Sequence, residues 1–159
     1  MNWRPVITVA AVVERNAHFL IVEERIDSAL VFNQPAGRVE DHESLLTAVI
    51  REMREETAWR FRPESLVGIY TWRKSGSQQD TLRFAIAGSV SDHDGQASLD
   101  HPVVATHWLT RAELVRRAPQ LRTPLVLRCI DDYLAGQRSP LASLADLREP
   151  VECRRDPEQ

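Results

Sequence analysis

Between Gly37 and Trp59 the chain reads GRVEDHESLLTAVIREMREETAW, a stretch of 23 residues that joins a glycine bend to an amphipathic helix. Leu46, Val49, Ile50, Met53 and Thr57 recur at three- and four-residue steps, the period of an α-helix with one face against a core. The spacing predicts a helix from Glu43 to about Thr57. Arg51, Glu52, Glu55 and Glu56 crowd into a turn and a half of it. At roughly 100° per residue the three glutamates share an arc of about 100° away from the apolar stripe. Such a helix must lay one face on a sheet and leave a carboxylate edge at the rim. Upstream, Pro35 and Gly37 predict a break in regular structure before the polar loop Arg38–His42.

Like charges three and four residues apart repel, by a few tenths of a kcal/mol per pair on an isolated helix. A hard divalent cation such as Mg²⁺, or Mn²⁺ in its place, is the partner that carboxylate oxygens suit. Arg51, one turn before Glu55, can hold its rotamer. Spacing alone also describes a solvated charged face. The preceding Gly37 loop adds weight, because its backbone can approach a phosphate closely.

Around this helix the reading places mostly strands. Val6–Val13 and His18–Glu23 are apolar and β-branched and flank the polar Glu14-Arg15-Asn16-Ala17, which predicts an antiparallel pair with a short turn. Leu30–Phe32, Leu66–Arg73, Leu82–Val90 and Val103–Leu109 read as further extended segments. Thr110 opens a helix with Glu113 completing a capping box, and a last helix runs from about Thr123 to Ala135, ended by Gly136. Irregular alternation of strands and helices predicts an α/β (α+β) domain, a mixed sheet covered on both faces. One domain over 1–145 and a mobile tail over 146–159 are expected.

A net charge of −3 argues against nucleic acid as a partner, since phosphate-driven binding needs a basic face. The two cysteines, Cys129 and Cys153, lack metal or redox spacing. No apolar run approaches the ~20 residues that span a bilayer. A cytoplasmic protein, monomeric or homodimeric, without membrane contact, is expected.

The Gly37–Trp59 stretch resembles the Nudix box, GX5EX7REUXEEXGU with U a bulky apolar residue. Gly37, Glu43, Arg51, Glu52, Met53, Glu55, Glu56 and Trp59 fill eight of its nine specified positions in register. The departure is Ala58 where the pattern has glycine, which implies either a strained left-handed cap or a different helix exit. The resemblance implies a Nudix α/β/α sandwich and Mg²⁺ held by Glu52, Glu55 and Glu56. It also implies that Arg51 orients the carboxylates, Glu43 braces the loop and Gly37 gives the tight turn. Glu52 is the favoured general base, with Glu55 next.

Similarity extends from about Pro5 to Leu141, through NQPAGRVE, VITVAAVV, FLIVEER and LRTPLVLRCIDDYLAGQRSPL, to a phosphatase branch of that family. That branch implies hydrolysis of nucleoside tri- and diphosphates and of hydroxymethylpyrimidine pyrophosphate, a thiamine precursor, with release of phosphate. An ADP-ribose or dinucleoside polyphosphate pyrophosphatase is the alternative, and a non-catalytic ligand-sensing Nudix domain a second.

On the substrate side, Tyr70 and Trp72 lie two apart on one predicted strand face and can stack on a ring, although ordinary packing explains such pairs more often. Arg83 and Arg73 can meet phosphate, or can simply be solvated. Gln34 can read a base edge or brace its turn. Asp100 and His101 lie in a loop able to close over the site, where loop capping is the plainer role for Asp100. His107 and Trp108 alternate on a strand, so one of them should be buried.

Overall fold

A computed structural model describes residues 3–147. The chain runs β1 (Val6–Val12), β2 (Glu14–Arg15), β3 (His18–Ile26), β4 (Ala29–Asn33), β5 (Ala36–Arg38), α1 (Leu45–Thr57), β6 (Arg60–Arg73), β7 (Asp80–Ser91), β8 (Val103–Thr110), α2 (Arg111–Arg116) and α3 (Leu125–Leu134). Of the tail expected over 146–159, only 146 and 147 are described; the remainder, with Cys153, lies outside the described residues.

β5-β1-β7-β6 form a mixed sheet in which β1 and β7 are parallel and the other neighbours antiparallel. Side chains alternate across that sheet, and the alternation decides which helix each residue meets. Val9, Ala11 and Ile86 pack with Ala48, Val49 and Met53 of α1. Val12, Ala85 and Ala87 pack with Leu125, Val126, Cys129 and Ile130 of α3. The two helices thus cover opposite faces, the expected α/β/α sandwich. A second sheet, β2-β3-β4 with β8 on the other edge of β3, packs beside it.

Several local expectations change. Val6–Val13 and His18–Glu23 do not form a hairpin: β1 pairs with β5 and β7, and β3 with β2, β4 and β8. The polar tetrapeptide that looked like a turn supplies β2, and the turn itself is Asn16-Ala17, both at positive φ. The Leu20 amide donates to the Val13 carbonyl at 3.0 Å where the chain changes sheets. Pro35 does fall in the break between β4 and β5, as expected, whereas Gly37 lies inside β5, paired with Val9. Ile50, assigned to the core face, is 41% exposed, and the buried face runs through Ala48, Val49, Met53, Glu56 and Thr57. β6 begins at Arg60, before the expected Leu66, and accommodates Pro63 at a bulge. Trp108 and His107 are both partly buried. The helix starts at Thr110 and stop at Gly136 agree with expectation: Thr110 and Glu113 form a full capping box, and Gly136 has φ 83°.

Candidate active site

The ends of α1 fix where its carboxylates sit. Ser44 caps the first turn, its hydroxyl accepting from the Thr47 amide at 3.0 Å. At the other end Ala58 takes φ 58° and ψ 8°, the left-handed conformation, and its N–H donates to the Arg54 carbonyl at 3.0 Å. Alanine there carries a strain of roughly 1–2 kcal/mol that glycine would not. The neighbourhood holds it in place: Arg54 Nη1 donates to the Ala58 carbonyl at 2.9 Å, and the Asp94 amide donates to the same oxygen at 3.1 Å. Of the two exits that Ala58 allowed, the strained cap is the one adopted.

Arg51 gathers the acidic side chains. Its Nη2 and Nε donate to Glu43 at 2.6 and 3.1 Å, its Nη1 to Glu52 at 2.9 Å and to Glu55 at 3.0 Å, and its Nη2 to the Arg38 carbonyl at 3.0 Å. Those charge-assisted bonds hold the Glu43 carboxyl below its ordinary range and raise the guanidinium's own affinity for its proton. Glu52 lies against Gly37 so closely that a Cβ at that position would meet its carboxylate oxygen at 1.9 Å. Any side chain at position 37 would push the Glu52 carboxylate out of this place. Burial lifts the Glu52 pKa, against the opposing pull of Arg51. Glu56 is 7% exposed, accepts from the Ala36 amide at 2.8 Å, and is pushed up to about 8, chiefly by burial.

Among the described residues no three carboxylate, imidazole or thiol side chains already converge as a metal cage. The reason is visible in the contacts: Glu52 and Glu55 both turn to Arg51, while Glu56 turns to β5. The donor set nevertheless fits a hard divalent cation. It offers carboxylate oxygens only, packed at the Gly37 bend, including one carboxyl that burial disfavours in its charged form.

Beyond β5 opens a cavity of about 310 Å³ lined by Ala36, Gly37, Glu24, Asn33, Arg83 and Trp72, among others. Arg83 is 6% exposed, and burial lowers its pKa. Its Nε and Nη1, and the Asn33 Oδ1, are buried without a hydrogen-bond partner.

The structure separates the residues singled out in the sequence. Gly37, Glu43, Arg51, Glu52, Glu55 and Glu56 come together around the head of β5, and Trp72 and Arg83 line the adjoining cavity. Gln34, 1% exposed, lies beside the Cys129 thiol rather than in the lining. The Tyr70 hydroxyl donates to Asp132 at 2.9 Å. Arg73 is exposed and its Nη2 pairs with Asp80 at 2.8 Å. The Asp100 backbone amide reaches the Glu55 carbonyl at 3.0 Å, while its neighbour His101 is exposed. His107 Nε2 is 2.8 Å from Glu23. Sequence reasoning missed Glu24, Asn33, Arg122 and Thr8. Glu24 carried a usable signal, because in FLIVEER it keeps the two-residue step of Leu20 and Val22 and so belongs to an inner face; it pairs with Arg122 at 3.0 Å.

A family model described as NUDIX domain matches residues 4–128. Phosphatase NudJ of Escherichia coli strain K12 is 34% identical over 148 residues, covering 93% of this chain and 95% of that protein. Phosphatase NudJ of Shigella boydii matches to the same extent. A NUDIX hydrolase from Nitrosomonas europaea superposes with TM-score 0.88 at 42% identity, over 90% of this chain and 97% of its own.

Proposed function

The chain belongs to the Nudix family and is a hydrolase of phosphoanhydride bonds, and from that premise we propose that its substrates are small pyrophosphates cleaved with release of phosphate. Nucleoside tri- and diphosphates and hydroxymethylpyrimidine pyrophosphate are the compounds proposed, in line with the similarity to phosphatase NudJ. The observation that carries the reading is Glu56. This carboxylate, only 7% exposed, accepts from the Ala36 amide, and Ala36 and Gly37 line the cavity that also contains the buried Arg83.

Glu52, Glu55 and Glu56 would hold Mg²⁺, with Mn²⁺ able to substitute. Bound there, the cation would offset phosphate charge and make water a better nucleophile. Glu52 is assigned as the general base. Arg51 holds one of its oxygens at 2.9 Å, leaving the other to take a proton from the attacking water. Arg51 also keeps Glu55 in the same cluster, and Glu43 anchors Arg51 in turn. Gly37 lets the β5 backbone approach the phosphates. A cavity of about 310 Å³ suits one small ring better than a dinucleoside polyphosphate, and the presence of all three glutamates favours an enzyme over a ligand sensor.

The test is a panel ranked by kcat/KM with Mg²⁺: nucleoside tri- and diphosphates, hydroxymethylpyrimidine pyrophosphate, ADP-ribose and a dinucleoside polyphosphate. Release of phosphate from the first three with little turnover of the last two is expected. Nucleoside monophosphate from ADP-ribose as the fastest reaction would refute the proposal.

A further inference from the structure

We infer that the cavity beyond β5 holds a free terminal phosphoryl group, so that the chain takes pyrophosphates with an uncapped end and turns away those esterified at both ends. This rests on the phosphoanhydride hydrolase reading above, and adds which end of the substrate the cavity receives. The nucleoside tri- and diphosphates and hydroxymethylpyrimidine pyrophosphate all have such an end; ADP-ribose and dinucleoside polyphosphates do not.

The lining is cationic although the chain as a whole is acidic. Arg38, Lys74, Arg83 and Arg122 border the cavity and Glu24 is the one acid among the residues that line it, in a chain of net charge −3. Glu24 is already answered: Arg122 Nη1 donates to it at 3.0 Å, and the Asn33 amide bonds the same carboxylate. Arg38 and Lys74 are exposed, where solvent screens them. Arg83 is 6% exposed, and a buried charge is costly unless an opposite charge meets it.

The sheet register fixes what surrounds that charge. Residues directly opposite on paired strands share a face. One row across the sheet is Arg38, Thr8, Arg83 and Tyr70, and the Tyr70 hydroxyl is committed to Asp132. Arg83 Nε and Nη1 and Thr8 Oγ1 are buried without hydrogen-bond partners. A guanidinium has two forks, Nε with Nη2 and Nη1 with Nη2, so each fork here contains one nitrogen in want of an acceptor. A phosphoryl group engages one fork with two oxygens, and the Thr8 hydroxyl can donate to the third. The N-terminal turn of α3 adds to the attraction: Thr123 and Leu125 line the cavity there, the helix dipole favours an anion, and the first turn carries no acidic side chain. The nitrogen of the other fork and the unpartnered Asn33 Oδ1, a donor and an acceptor, are left to water, for which a polar cavity of about 310 Å³ has room.

A neutral ring edge would satisfy hydrogen bonds here and leave the charge unanswered. A free terminal phosphoryl group answers both, with close to two negative charges and three acceptor oxygens. Esterification removes one of those charges and one of those oxygens. The group fills only part of the cavity, and Trp72, one row from Arg83 on the same face, borders the remainder.

The experiment is calorimetric titration of the full chain in EDTA with ADP and ADP-ribose, which differ only in the cap on the second phosphate, for wild type, Arg83→Gln and Thr8→Val. Wild type should bind ADP roughly tenfold or more tighter than ADP-ribose, the scale of one charge-assisted hydrogen bond. Arg83→Gln should lose that preference by weakening ADP while ADP-ribose changes by less than about threefold. If Arg83→Gln does not fold, the near-isosteric Thr8→Val carries the comparison, with ADP alone weakened about threefold. Wild type that binds ADP no tighter than ADP-ribose, or does not bind it at all, overturns the inference. So does an equal loss of both ligands in Arg83→Gln, which would assign Arg83 to the part they share. Preference for ADP in a chain that releases phosphate from no nucleoside diphosphate would support this inference while contradicting the hydrolase reading.

Discussion

Glu56 of α1 accepts a hydrogen bond from the backbone amide of Ala36 in β5 at 2.8 Å, so the carboxylate helix and the glycine strand are locked edge to edge. Replacing Glu56 by glutamine preserves that bond, because the amide oxygen can still accept, and removes only the charge. We expect Glu56→Gln to fold normally and to lower kcat/KM by on the order of a hundredfold or more, the scale of losing several kcal/mol of charge stabilisation. Turnover like that of wild type would remove Glu56 from the site.

The same carboxyl makes the metal-free protein sensitive to pH. Its pKa in the fold is pushed up to about 8 from an ordinary 4.5, so the folded chain binds a proton that the unfolded chain releases. Stability from this group is fully present below about pH 4.5 and is lost as pH rises through about 8. Denaturant midpoints in EDTA should therefore fall across that window, and fall less steeply in Glu56→Gln. Burial shifts Glu52 and Glu24 in the same direction, so some slope should persist in the variant.

Arg51 serves five oxygen acceptors through a planar fork, which a lysine ammonium cannot reproduce. Arg51→Lys should weaken Mg²⁺ activation by roughly 10–100-fold, the usual effect of losing a group that orients metal ligands. The apparent activation constant for Mg²⁺ at saturating substrate is the readout.

Ala58→Gly relieves roughly 1–2 kcal/mol of left-handed strain, while losing a buried methyl and loosening the unfolded chain each cost about 1 kcal/mol or less. Stability should change by less than about 1 kcal/mol, and activity should not change. Ala58→Val, β-branched at φ 58°, should be clearly destabilising.

What the sequence made legible was local chemistry with a fixed period. The α1 carboxylates, the break at Pro35 and the Thr110 capping box depend on neighbours within a turn or two of one another. Pairing of β1 was not legible, because its partner β7 lies some seventy residues on and its apolar run fits either a hairpin or a parallel neighbour. Ile50 was misplaced because a helical stripe shows direction but not width, and here the buried arc turns toward Glu56. The cavity was half legible. Trp72 and Arg83 stood out as isolated large side chains in strands, but Asn33, Thr8 and Arg122 acquire meaning only once the register sets them around one space.

The central claim is that Glu52, Glu55 and Glu56 together hold a divalent cation beside Gly37. Titration with Mn²⁺, followed by the electron paramagnetic resonance of the free ion, tests it without any substrate. The account predicts saturable binding by wild type and binding at least roughly tenfold weaker in Glu56→Gln. Equal affinity in the two proteins, with the variant folded, would contradict it.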